Sequence, residues 1–175
     1  RELVVGTHGR SAWIVDVLSE AIDARVSEVC SVLARVDGDD PVHAWVRANL
    51  QSIVDAARQH TRSDGAFCAV VDPSTLEVAT VASAGARSKA FSRYRLAPGQ
   101  GIGGWFLVHK RPFRTEDYLA DPRFSHAFDD DARAEGVVAN LGVPILHDDR
   151  VTGLLWVFNR TRRPFSERDE AFLSG

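Results

Sequence analysis

The chain has 175 residues, 45% of them hydrophobic and 26% charged, the balance of a globular protein with a core of its own. Its formal net charge of −3 argues against a general nucleic-acid or anionic-membrane binder. Its two cysteines, Cys30 and Cys68, stand too far apart for a CxxC metal site or a disulfide framework, and no apolar run approaches the roughly 20 residues of a membrane helix.

In chain order, Ile14, Leu18, Ile22, Val26, Val29 and Leu33 recur in steps of three and four, which predicts an amphipathic helix over residues 11–35. Residues 37–41 break it, with Asp40 placed as an N-cap and Pro41 at the first helical position. A second helix carries Val42, Val46, Leu50, Ile53 and Ala57 on one face and stops at Ser63-Asp64-Gly65. Residues 66–71 and 76–82 then read as a hairpin, followed by a short strand within 91–96. A glycine loop leads into a short helix over 102–110, and 113–115 is a brief strand. Residues 116–136 are irregular, apart from a helix over 129–135 started by Asp129-Asp130-Asp131. Two apolar strands, 137–146 and 151–158, form a second hairpin, and Ser166 with Asp169 caps a last helix. The order predicts an α+β fold with a mainly antiparallel sheet. Methionine is absent and the chain opens at Arg1, which predicts a piece of a longer protein with its C-terminal helix cut short.

Gly99-Gln100-Gly101-Ile102-Gly103-Gly104 satisfies G-x-G-x-x-G, but no buried strand precedes it, so it reads as a tight loop entering a helix. No histidine pair has HxxxH spacing and no G-x-S-x-G occurs, so neither a zinc hydrolase nor a serine nucleophile is signalled. Cys68 lies in an apolar strand, where its thiol should be inert. The loop from Tyr118 to Phe128 is dense in rings, which either plug the core or wall a pocket. Asn140 interrupts an apolar strand, and its amide either bonds a neighbouring loop or faces a ligand.

These pieces together resemble a GAF domain. The resemblance rests on Gly99–Gly104, Arg111-Pro112-Phe113, Asp117 through Phe124, Glu135-Gly136-Val137, Gly142-Val143-Pro144-Ile145, Val151 through Leu155 and Arg163 through Asp169. It covers about residues 41–175, leaving 1–40 as a helical signalling or dimerisation segment. The wording is similar to GAF domains of actinobacterial regulators with a PucR- or LuxR-type helix-turn-helix, or of sensor kinases. The resemblance implies an antiparallel sheet of five or six strands, helices on one side, and a pocket roofed by residues 86–136 on the other. It also implies a cytoplasmic homodimer that touches DNA only through a further output domain, no membrane, no metal, no cofactor and no catalysis.

Asn159-Arg160 with Phe165…Asp169-Glu170 is similar to the tie of cyclic-nucleotide GAF domains, which implies an Arg160–Asp169 ion pair unless Asp169 caps its own helix. Ala69 follows Cys68 where bilin-binding relatives often have a histidine, and residues 131–139 lack the proximal histidine of haem sensors. The pocket loops also lack the cysteines of the free methionine sulfoxide reductases. The expected ligand residues are Phe91, Tyr94, Trp105, Tyr118, Phe124, His126, Phe128, Asn140 and Trp156. Rings supply apolar area, and His126 and Asn140 orient a small molecule. The alternatives are a ligand-free dimerisation scaffold and a cyclic-nucleotide binder.

Overall fold

Two-residue periodicity builds the sheet. In β1 (Gly65–Val71), Ala66 and Cys68 point to one side while Phe67, Ala69 and Val71 point to the other. The computed structural model describes residues 41–72, 74–89, 91, 93–147 and 149–174, and of 41–47, 93, 94 and 147 the backbone only. The helix expected over 11–35, the Asp40 cap and the proposed N-terminal segment lie outside these residues. The remaining elements are α1 (Pro41–Thr61), β2 (Glu77–Ala84), β3 (Arg93–Arg95), α2 (Gly101–His109), β4 (Phe113–Thr115), a 3-10 turn (Tyr118–Ala120), α3 (Asp129–Glu135), β5 (Ala139–His147), β6 (Arg150–Asn159) and α4 (Glu167–Ser174). The sheet has six antiparallel strands in the order β3-β2-β1-β6-β5-β4.

Each face has its own core. Leu50, Val54 and Ala57 of α1 pack on Ala66, Cys68, Leu141, Leu155 and Val157, and His60 stacks on Phe172 to join α1 to α4. The other face holds Phe67, Trp156 and Phe158 beneath Ile102 and Phe106 of α2, Tyr118, Phe124 and Ala132 of α3. The apolar positions of β6 serve both cores, as its central place demands. β5 begins at Ala139, two residues later than the apolar run suggests. Gly136 adopts a left-handed conformation (φ 77°), and the N–H of Val137 donates back to the Ala132 carbonyl at 2.8 Å. Val137 therefore closes α3 instead of opening the strand.

The expected Arg160–Asp169 pair does not form. The Ser166 N–H and hydroxyl donate to Asp169 Oδ2 at 2.8 and 2.7 Å, and the Asp169 N–H donates back to Ser166 Oγ, so Asp169 caps α4. Arg160 turns the other way. Its Nη2 donates to Glu135 Oε1 at 2.5 Å and to the Gly85 carbonyl at 2.8 Å, and its Nε donates to the Glu135 carbonyl. Glu135 is fully buried and also accepts from the backbone N–H groups of Arg87 and Ser88. One ion pair thus ties α3, the end of β6 and the β2–β3 connection.

The outer edge of β4 is blunted by a side chain. Arg123 Nη2 donates to the Arg114 carbonyl at 2.6 Å, occupying an edge acceptor that another strand would need. The guanidinium also grips Asp121. Its hydrogen bonds, chiefly, hold the Asp121 carboxyl down from the ordinary 3.8 to about 2. A depressed carboxyl stabilises the fold above its unfolded pKa and stops doing so as pH falls through its folded one. Asp121→Asn should therefore flatten the acid stability profile between about pH 4 and pH 2, measured by urea denaturation at stepped pH. A variant profile parallel to that of the parent chain would remove Asp121 as a source of acid sensitivity.

Candidate functional site

β5 places Ala139, Leu141 and Val143 against the helix layer, so Asn140 between them must face the opposite layer. There it meets a small cavity of about 20 Å³, roughly the room that one water needs. The floor is Phe67 of β1, Asn140 of β5 and Trp156 and Phe158 of β6. The roof is Ile102 and Gly103 of α2, Tyr118, Phe128 and Val137, with Phe91 at the side. Asn140 is 2% exposed, and its Oδ1 accepts no hydrogen bond. Leaving such an acceptor buried and unpaired costs about 1–3 kcal/mol, which a fold does not normally carry without use.

Five expected ligand residues meet around this cavity: Phe91, Tyr118, Phe128, Asn140 and Trp156. Three stand elsewhere. Phe124 packs into the core between Phe113 and Tyr118, with ring centroids 5.6 and 5.0 Å away. His126 lies on the outside of the roof, its Nδ1 2.9 Å from Asp129 Oδ1 and its Nε2 3.1 Å from the Asp121 carbonyl. Trp105 packs on Phe113 and lines an open groove of about 590 Å³ along β4. Phe67, Ile102, Gly103, Val137 and Phe158 complete the cavity and were not among the expected residues.

That groove is far larger, but its charges are already matched. Arg114 Nε lies 2.6 Å from Glu170, Arg123 holds Asp121, and Arg111 covers the Trp105 ring. The small cavity is the better candidate, because among the described residues it is there that a buried polar atom lacks a partner on a wall of rings.

An antiparallel sheet with α1 and α4 on one face and a cavity roofed by α2 and neighbouring segments on the other defines a fold that the comparisons identify. The GAF domain family matches residues 46–175. The chain belongs to the GAF family. The GAF domain of a phosphoenolpyruvate-protein phosphotransferase from Coxiella burnetii superposes with TM-score 0.60 at 18% identity, covering 94% of this chain and 88% of that one. The PixJ GAF domain of Thermosynechococcus elongatus, in its blue-light absorbing form, gives 0.62 at 19%, covering 78% and 83%. A type II free methionine-R-sulfoxide reductase from Thermoplasma acidophilum gives 0.60 at 16%, covering 75% and 86%. In sequence, the HTH-type transcriptional activator RamA of Corynebacterium glutamicum is 30% identical over 73 residues, which is 42% of this chain and 26% of that protein's length.

In this GAF domain the G-x-G-x-x-G segment serves packing. A Cβ on Gly104 would lie 2.2 Å from the Ala97 carbonyl, and one on Gly103 would lie 2.4 Å from Leu96. The glycines let α2 press onto the preceding loop and bring Ile102 and Gly103 down onto the cavity. Cys68 sits on the opposite face of the sheet, and burial pushes its thiol up to about 12. Among the described residues, no cluster of His, Cys, Asp or Glu is placed to hold a metal, and no helix is long and apolar enough to cross a membrane.

Proposed function

We propose that this GAF domain is a non-catalytic sensor of a small molecule, held between the sheet and the roof, within a cytoplasmic transcriptional regulator that works as a homodimer. The unpaired Asn140 acceptor on an apolar cavity carries the reading. The partial likeness to an HTH-type activator supports the regulatory setting. Distance from thiol chemistry supports the non-catalytic part, since Cys68 lies across the sheet from the cavity. The water-sized cavity is the closed state, and ligand entry requires the roof to lift. A ligand shifts the output only through different affinities for the closed and open states.

A thermal-shift screen of the chain tests this against neutral, anionic and cationic metabolites. A ligand at a hundred times its dissociation constant adds about 2.7 kcal/mol, several degrees for a domain of this size. The shift should persist in His126→Ala, whose ring is outside the cavity. It should shrink in Val137→Ile, whose added methylene takes up the free space. If no compound raises Tm, and stability rises only with protein concentration, the dimerisation-scaffold reading replaces the sensor.

A further inference from the structure

Two polar residues, Asn140 and Tyr118, line the cavity, and neither side chain makes a hydrogen bond among the described residues. Asn140 Oδ1 is buried without a donor. Tyr118 is 4% exposed, and its hydroxyl makes no hydrogen bond among the described residues, where only its backbone N–H is bonded. Burial, with Asp129 and Asp131 nearby, pushes the phenol's pKa up, so it keeps its proton and remains a donor. Thus an amide whose oxygen lacks a donor and a hydroxyl free to donate belong to residues that line the same space. The rest of the wall is aromatic or aliphatic, including Phe67, Trp156 and Phe158, and none of the described lining residues is charged.

We propose that the ligand is a small, uncharged, largely aromatic molecule that donates one hydrogen bond to Asn140 Oδ1 and accepts one from the Tyr118 hydroxyl. This rests on the sensor reading and narrows it. A carboxylate, a phosphate or an ammonium would leave water for a wall with no countercharge, a cost that two neutral hydrogen bonds do not offset. Cyclic nucleotides match this described wall less well than neutral rings do. A purely apolar ring would fill the space but leave both polar groups unmatched, as they are now. A neutral heterocycle with an N–H and a ring nitrogen or carbonyl satisfies both and covers the rings.

Three bicyclic probes of one shape separate these demands. Benzofuran has no N–H, indole has one, and 7-azaindole adds a ring-nitrogen acceptor. Calorimetric titration into the chain should give indole about tenfold tighter than benzofuran, and 7-azaindole about tenfold tighter than indole. Asn140→Leu should erase the first step and Tyr118→Phe the second, each leaving the other step intact. The unliganded Asn140→Leu protein should melt no lower than the parent chain, which establishes that it folds. Equal affinities in the parent chain, or steps that survive the substitutions, would overturn the proposal. So would tighter binding of indole-2-carboxylate than of indole, although the sensor reading would then stand. If none of the four probes binds, the proposed ligand class falls. The sensor reading falls with it only if the broad screen is empty too.

Discussion

Glu135→Ala should cost about 3–5 kcal/mol and lower Tm by roughly 10 °C or more, a larger effect than that of any surface substitution on the domain. The carboxylate is fully buried and Arg160 nearly so, the two lying 2.5 Å apart. Removing the acid leaves the guanidinium in a site of low dielectric among backbone carbonyls and the Phe158 ring, with its Glu135 countercharge gone. It also strips the Arg87 and Ser88 N–H groups of their acceptor. Because Arg160→Met should strand the carboxylate in the same way, the double variant Glu135→Leu/Arg160→Met should cost clearly less than the sum of the singles. Strict additivity in a urea-denaturation cycle would show that the pair is not a unit. The consequence reaches the cavity. Glu135 stands two residues before Val137, a roof residue, so a loosened α3 should also weaken ligand binding.

This tie was beyond the reach of the sequence, and the reason is general. Arg160 and Glu135 are separated by an entire hairpin, and nothing in local pattern marks which of many acids an arginine will meet. Caps, by contrast, are local. Ser166 with Asp169 was legible because the two act within one turn of their own helix. The strands were legible as apolar runs bounded by turns, and Asn140 stood out as the polar residue interrupting one of them, although apolar residues on both faces left its direction open. Counting back from the hairpin turn would set Asn140 opposite Val157. A bulge between Ile145 and Leu146 shifts the partner to Phe158, which lies on the same side of β6 as Trp156. The loop rings were the hardest. Residues 116–128 have no period, so composition revealed a concentration of aromatics without telling Phe128 at the cavity from Phe124 in the core or His126 outside.

The glycine motif yields a prediction of comparable size, with an internal contrast. Gly104→Ala should cost about 3 kcal/mol, and Gly99→Ala about 1 kcal/mol. Gly99 has φ 79° with no atom within 4 Å of an added Cβ, so alanine there meets only the left-handed strain of an L-residue. At Gly104 the Cβ would meet the Ala97 carbonyl at 2.2 Å and the Gly99 nitrogen at 3.0 Å, and backbone cannot rotate aside. The contact is also hydrogen-bonded. The Gly99 N–H donates to the Gly104 carbonyl at 3.1 Å, and the Gly104 N–H donates to the Gln100 carbonyl at 2.8 Å. Alanine at 104 must therefore push α2 off its loop, and α2 carries Ile102 and Gly103 over the cavity. Denaturation midpoints should separate the two variants by about 2 kcal/mol, and Gly104→Ala alone should weaken the binding of any cavity ligand. If Gly99→Ala proves the costlier, then the freedom of the loop, and not the close seating of the helix, is what these glycines supply to the roof.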